Sequence, residues 1–268
     1  MRHSIRHLLS AVVATAMVSA FFTGCDSGSS TSSGNFAITA QPAAQTVASG
    51  NPVSLTLTAT GDNLTYRWVH SYKWISTTDG LLFDTASFAD SVGASSSYTI
   101  PLAAPFDSGS YKCVIHSGID SLVSNPVTVK VTPVAFPAAL MSVGMLKATN
   151  ICLQCHDYPP KGTIGTTPPL IHSDYLLADK LRPVRVLFLG LGDSGTAGTN
   201  PIFVNGIRYE GQMPAVAVSN GLSDSEIAGV LTYMRGTFNG ATDMISPAEV
   251  KQERDSLRAH GHLEVAPN

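Results

Sequence analysis

The stretch DSGSYKC, residues 107–113, decides the fold predicted for the first half of the chain. It leads into SYKCVIHS (110–117), and an earlier stretch, PVSLTLTAT (52–60), shows the same alternation of apolar and polar residues. A period of two residues is typical of a half-buried β-strand. Further short strands, separated by breaks rich in Gly, Pro, Asn and Asp, extend over residues 36–132. The sequence therefore predicts an all-β sandwich in this region.

The same stretch carries a known motif. Its D-x-G-x-Y-x-C pattern is formed by Asp107, Gly109, Tyr111 and Cys113. Residues 36–132 resemble immunoglobulin-like domains, including the repeats found on bacterial surface proteins. The resemblance implies a tyrosine corner at Tyr111 and a core tryptophan at Trp68. Leu57 stands where the partner of the usual disulfide belongs, so we expect Cys113 to be a buried free thiol in a spacer or docking module.

A second motif, CLQCH, occupies residues 152–156. The C-x-x-C-H spacing is typical of covalent haem attachment, because two thiols add to the two vinyl groups and the adjacent imidazole binds iron. A thioredoxin-like redox pair would need a surrounding βαβ pattern, and a zinc site would need further ligands. A disulfide between Cys152 and Cys155 would close a very small, strained loop. The motif therefore predicts one covalent haem c, with Cys152 and Cys155 as attachment points and His156 as an iron ligand.

The second iron ligand is predicted to be Met213. It lies in YEGQMPAV (209–216), a loop containing Gly211 and Pro214, and a short rigid loop can hold a thioether against iron. Met234 lies within an amphipathic helical pattern, where methionine is usually a packing residue. His172 remains an alternative ligand, although it follows the haem motif closely in sequence.

With these motifs, residues 138–240 resemble a single-haem class I cytochrome c. The resemblance rests on Gly144 eight residues before Cys152, on PPL (168–170), on VNGIRYEGQMPA (204–215) and on LSDSEIAGVLTYMRGTF (222–238). It implies an all-α domain in which Gly144 permits a close helix crossing near Tyr233. It also implies that a proline carbonyl, for which we favour Pro169, accepts a hydrogen bond from His156.

The N-terminus predicts export. Arg2 and Arg6 precede an apolar run from Leu8 to Phe22, which is typical of a secretion signal. The following FFTGC (21–25) resembles a bacterial lipobox, so residues 1–24 are expected to be removed and Cys25 to be lipidated. Residues 25–35 are rich in Ser and Gly and are predicted to form a flexible linker.

The predicted organisation is a multidomain chain: an all-β immunoglobulin-like sandwich followed by an all-α class I cytochrome c fold. The expected segments after the linker are the sandwich (36–132), a short linker (133–137), the cytochrome c domain (138–245) and a C-terminal helical tail (246–268). The net charge of −3 leaves no basic surface suited to a nucleic acid.

The predicted function is single-electron transfer by a membrane-anchored lipoprotein in the periplasm or at the cell surface. Its expected partners are an unidentified redox protein and the membrane, which it meets through its lipid. We expect an electron carrier and not an enzyme. The alternative is a cytochrome subunit of a periplasmic dehydrogenase or nitrite reductase complex.

Overall fold

The computed structural model describes residues 35–77, 82–191 and 201–263. These residues belong to one compact unit, Gly34–Asn268. The predicted signal segment and the predicted lipidation site, Cys25, lie outside the described residues.

Ten strands form the first part of the unit, which we call the sandwich. Their bounds are β1 Ala37–Ala40, β2 Gln45–Ala48, β3 Val53–Thr56, β4 Thr58–Thr60, β5 Thr65–Thr77, β6 Leu82–Gly93, β7 Ser97–Ile100, β8 Gly109–Ser117, β9 Asp120–Val123 and β10 Val127–Thr132. The main sheet has the order β2-β10-β8-β5-β6, and β9 pairs with β8. Two further pairs, β1-β4 and β3-β7, complete the sandwich.

The sandwich core follows from the alternation in its strands. Inward positions such as Val53, Leu55 and Ile115 are fully buried, and Trp68 lies among them. The Tyr111 hydroxyl donates a hydrogen bond of 2.9 Å to the Asp107 carbonyl, which confirms the predicted tyrosine corner. Cys113 is a buried free thiol, as predicted. The chain therefore contains an immunoglobulin-like sandwich.

The second part, which we call the helical part, begins after β10. Its helices are α1 Ala138–Lys147, α2 Leu153–His156, α3 Asp174–Ala178, α4 Arg182–Leu189, α5 Val216–Ser219, α6 Asp224–Asn239 and α7 Pro247–Ala259. A π-helical turn, Ala148–Cys152, joins α1 to α2. Two strands, β11 Ile202–Val204 and β12 Ile207–Tyr209, form an antiparallel hairpin before α5.

Helix α1 crosses α6 at two glycines. A Cβ atom added to Gly144 would lie 2.1 Å from the Gly229 carbonyl oxygen and 3.0 Å from the Tyr233 Cβ. Such distances exclude any side chain at Gly144, so the predicted close crossing is confirmed. Helix α6 begins with a capping box, in which Ser223 and Glu226 satisfy each other's backbone N–H groups.

The prediction of a separate all-α class I cytochrome c fold is wrong. The helical part contains the β11–β12 hairpin, and residues from it pack against the sandwich within one compact unit. The Phe106 and Phe238 rings, from a 3₁₀ turn of the sandwich and from α6, lie 5.7 Å apart between centroids. The sequence did not reveal this mixed, continuous architecture because the hairpin lies in a stretch that reads as an extended loop.

Candidate functional site

A two-lobed cavity lies inside the helical part. It consists of two neighbouring clefts, an inner lobe and an outer lobe, that have part of their lining in common. Both lobes share Cys152, His156, Pro168, Leu191, Ile202 and Met213. Four residues singled out in the sequence, Cys152, Cys155, His156 and Met213, thus converge on one cavity. Among the described lining residues there is no lysine, arginine, aspartate or glutamate, so the cavity has an apolar, uncharged wall.

The two cysteines of the CLQCH motif lie on successive turns of the helical segment that follows α1. Cys152 ends the π-helical turn, and Cys155 lies on α2. Both are free thiols, and Cys155 is exposed to solvent in the outer lobe. Burial, reinforced by the nearby Cys155, raises the pKa of the Cys152 thiol to about 12.

The hydrogen bonding of His156 leaves one of its ring nitrogens available to bind a metal. Its side chain is buried, and its Nδ1 lies 2.8 Å from the Pro168 carbonyl oxygen. A carbonyl only accepts, so Nδ1 donates, and the neutral ring keeps its lone pair on Nε2. Burial lowers the pKa of His156, although the bond to Pro168 opposes this. The ring is therefore held neutral with a free lone pair in the cavity wall, as a histidine ligand requires.

The acceptor for His156 lies one residue earlier than the sequence suggested. We expected the Pro169 carbonyl, whereas the Pro168 carbonyl accepts the bond and Pro169 lines the inner lobe. Which of two adjacent carbonyls faces a ring depends on loop geometry that composition does not reveal.

Met213 approaches the cavity on a loop that is fixed by backbone contacts. The Leu191 N–H donates to the Met213 carbonyl at 2.8 Å, and the Met213 N–H donates back to Leu191 at 3.1 Å. Gly190, at φ +72°, allows this approach, since a Cβ there would lie 2.4 Å from the Met213 carbonyl oxygen. The Met213 loop is thus held in place by backbone hydrogen bonds to Leu191.

The two loops that carry the candidate ligands also meet each other. A Cβ atom added to Gly211 would lie 2.0 Å from the Thr166 carbonyl oxygen, and the Glu210 N–H donates to the Gly165 carbonyl at 3.1 Å. The loop that supports His156 and the Met213 loop therefore form one rim of the outer lobe. The need for a glycine at residue 211 follows from this close approach.

The structure places other residues of interest less centrally. Met234 lines the inner lobe from α6, where it is buried in the core that also contains Val230 and Phe238. His172 lies on the sandwich side, 2.9 Å from Asp107, and lines neither lobe. Tyr175 lines the inner lobe, and the Arg182 guanidinium lies 3.7 Å from its ring centroid. The sequence contained no signal for this Tyr175–Arg182 contact.

The residues present fit a haem by the chemistry of their donor groups. A haem iron requires only an imidazole and a thioether from the chain, since the porphyrin supplies the remaining ligands. His156, Met213, two thiols and an apolar wall are found together at one cavity. Within residues 35–77, 82–191 and 201–263, no three His, Cys, Asp or Glu side chains converge to hold a bare metal ion.

The described helices include none that is long and apolar enough to cross a membrane.

Comparisons with known proteins concern the sandwich. No protein-family model and no curated protein matches the chain. Sidekick-1 immunoglobulin domains 1–5 match with a TM-score of 0.27 and 22% identity, over 38% of this chain and 19% of that chain. Titin M4 matches with a TM-score of 0.25 and 19% identity, over 36% of this chain and 95% of that chain. Titin domains z1z2 in complex with telethonin match with a TM-score of 0.26 and 19% identity, over 36% and 47% of the two chains.

These findings correct the predicted family. The chain spans only about a fifth of the Sidekick-1 fragment. Residues 138–240 include the β11–β12 hairpin and are not the all-α domain that the resemblance implied. The assignment of residues 138–240 to the class I cytochrome c family is therefore wrong. The motifs that suggested it are local, whereas the fold around them includes a hairpin and a docked sandwich.

Proposed function

We propose that this protein is a single-electron carrier with one covalently attached haem in the cavity of the helical part. The observation that carries the proposal is the convergence of Cys152, Cys155, His156 and Met213 on one uncharged cavity. When bound, the group would supply a one-electron couple. Cys152 and Cys155 would anchor it, and His156 and Met213 would bind its iron.

The chain's own residues determine how that couple is tuned. The bond from His156 Nδ1 to Pro168 fixes the ring orientation and makes the imidazole a stronger donor, which favours the oxidised state. A Met213 thioether raises the potential instead. No lysine, arginine, aspartate or glutamate stands among the described residues that line the cavity. Because two side chains of the chain itself would hold the iron, the group would serve electron exchange and not substrate binding, so we infer a carrier and not an enzyme.

Electron exchange is expected at the outer lobe, where Cys155 and Gln212 are exposed. The proposed partner is another redox protein. Its location would follow from lipidation at Cys25, which would place the protein at a membrane in the periplasm or at the cell surface.

The proposal is tested by replacing the two methionines of the cavity in turn. The full chain is produced in a bacterial host that attaches haem to exported proteins, and its absorption spectrum and reduction potential are measured. Met213→Ala is expected to lower the potential and to let the reduced protein bind carbon monoxide. Met234→Leu, a conservative change in the same cavity, is expected to leave both properties unchanged. If Met234→Leu opens the iron to carbon monoxide and Met213→Ala does not, Met213 is not the ligand.

A further inference from the structure

The loop behind His156, which we call the backing loop (residues 157–172), leaves the histidine and returns to support it. Within the helical part, the Gly162 N–H donates to the His156 carbonyl at 3.1 Å, and the Leu170 N–H donates to the Pro160 carbonyl at 2.9 Å. Asn239, at the end of α6, donates to the Leu170 carbonyl at 2.9 Å. These bonds shape the loop that presents the Pro168 carbonyl to the ring.

Both arms of the backing loop also reach the sandwich. The Lys161 Nζ lies 2.5 Å from an Asp90 carboxylate oxygen on β6, and the His172 Nε2 lies 2.9 Å from an Asp107 carboxylate oxygen. The two contacts lie on either side of Pro168 in sequence. The sandwich therefore contacts the backing loop both before and after the Pro168 carbonyl that supports His156.

The two carboxylates are fixed within the sandwich before they meet the loop. The other Asp107 oxygen accepts the Ala104 N–H at 2.8 Å, and the Asp107 side chain is only 3% exposed. Asp90 accepts the Tyr72 hydroxyl at 2.9 Å. Burial disfavours the charged form of Asp90, yet the hydrogen bonds from Lys161 and Tyr72 outweigh this and hold its pKa below the usual value. The carboxylates of Asp90 and Asp107 are thus held in position by the sandwich itself.

The backbones of the sandwich and of the helical part also approach each other closely near Gly240. A Cβ atom added to Gly240 would lie 2.8 Å from the Ala103 carbonyl oxygen, and one added to Gly50 would lie 3.0 Å from the Gly240 carbonyl oxygen. The Gly50 N–H donates to Ala103 at 2.8 Å, which fixes the sandwich side of the seam. The Phe106 ring also packs against the Phe238 ring. A flexible tether would not need such close backbone approach.

We propose that the sandwich is a clamp on the backing loop, and that Asp90 and Asp107 are positioning residues for the iron ligand His156. Asp107 serves two purposes in this arrangement: its carbonyl completes the tyrosine corner, and its carboxylate holds His172. The claim that the clamp acts on an iron ligand rests on the proposed function. The claim that it holds the loop does not.

The two contacts are expected to differ in strength. Lys161 is 44% exposed, and exposed ion pairs contribute little. The Asp107 carboxylate is almost fully buried, so loss of its partner leaves a desolvated charge with one hydrogen bond fewer. Removal of the His172 contact should therefore have the larger effect on the loop.

The test uses the purified full chain and the double variant Lys161→Gln/His172→Asn. Both substitutions lie in the backing loop, so the sandwich keeps its own residues. Asparagine is chosen at 172 because the backbone there has φ +47°, which asparagine tolerates better than most residues. Asp255→Asn is the control, since it removes the exposed Lys251–Asp255 pair on α7.

Amide hydrogen exchange is the first measurement, and it requires no haem. The double variant is expected to exchange about tenfold faster over residues 158–172, the change expected from losing a hydrogen bond to a charged group. The amides of β8 in the double variant, and all amides in the Asp255→Asn control, should exchange at the same rates as in the unaltered chain. Backing-loop rates equal to those of the unaltered chain would overturn the clamp, whether or not haem is attached.

The reduction potential is the second measurement, made on the haem-bearing protein. A loosened Pro168 carbonyl should make His156 a weaker donor and raise the potential relative to the Asp255→Asn control. Faster exchange with an unchanged potential would overturn the positioning role. Absence of haem from the unaltered chain would instead refute the proposed function, while the exchange rates would still decide the clamp.

Discussion

The interior of the sandwich is a buried apolar core, whereas the interior of the helical part contains a cavity. In the sandwich, Trp68 and Tyr111 are fully buried in a filled core, and Cys113 packs beside them as a small apolar residue. In the helical part, apolar side chains surround a cavity, and Cys152 and Cys155 stand at its wall. The contrast separates a cysteine that serves packing from a cysteine pair that serves a cofactor. It also means that the two parts should respond differently to the same kind of substitution.

The largest expected effect follows from removing the thiols. Cys152→Ser/Cys155→Ser should abolish covalently bound haem completely, because no other described free thiol lies at the cavity. Cys113→Ala, in the filled core, should leave haem attachment unchanged and lower the free energy of unfolding by about 1 kcal/mol. A haem stain after denaturing electrophoresis measures the first effect, and chemical denaturation measures the second. Haem lost from Cys113→Ala but retained in the double variant would reverse the comparison.

A smaller effect is expected from overfilling the helix crossing. Gly144→Ala would place a Cβ 2.1 Å from the Gly229 carbonyl oxygen, so α1 and α6 must move apart at a cost of about 3 kcal/mol. Gly118→Asn is the matched change in the sandwich: its φ is +60°, and nothing lies within 4 Å of an added Cβ. This second variant should unfold at nearly the same denaturant concentration as the unaltered chain. Equal destabilisation by both changes would show that the crossing is not tight.

The smallest expected effect is a loss of stability of the folded state at acidic pH. Hydrogen bonds from Lys147 and from the Ser223 backbone lower the pKa of Glu226 to about 2, and bonds from Lys180 and the Ser246 backbone do the same for Glu249. A carboxylate with a lowered pKa in the folded state stabilises that state fully above its unfolded pKa of about 4.5. This stabilisation is lost as the pH falls from about 4.5 to about 2, since protons then bind the unfolded chain first.

Chemical denaturation at a series of pH values checks this expectation. Glu226→Gln keeps the capping box but removes the charge, so its stability should fall less steeply between pH 4.5 and pH 2. A variant with the same pH dependence as the unaltered chain would show that the Lys147–Glu226 pair contributes nothing to acid sensitivity.

Local patterns explain which features the sequence revealed. The alternation at 52–60 and the D-x-G-x-Y-x-C motif predicted the sandwich, because a period of two and a tyrosine corner are both local signals. The capping boxes at Ser223 and Ser246 are local in the same sense, since each needs only a partner three residues away. The cysteine spacing marked the candidate site for the same reason.

Features that depend on distant residues were not predicted. The Asp107–His172 contact joins residues 65 positions apart, and no pattern in either segment announces it. The β11–β12 hairpin lies in a stretch whose length suggested a loop, and the choice of Pro168 over Pro169 depends on how the backing loop turns. The family assignment was wrong because local motifs do not determine the fold around them.

The central claim is that the cavity of the helical part holds one haem bound through Cys152 and Cys155. The most direct measurement is the intact mass and absorption spectrum of the full chain, purified from a host that attaches haem to exported proteins. The account predicts a coloured protein whose mass exceeds that of the processed polypeptide, with any lipid included, by one haem. A colourless protein with the mass of the polypeptide and lipid alone would contradict it.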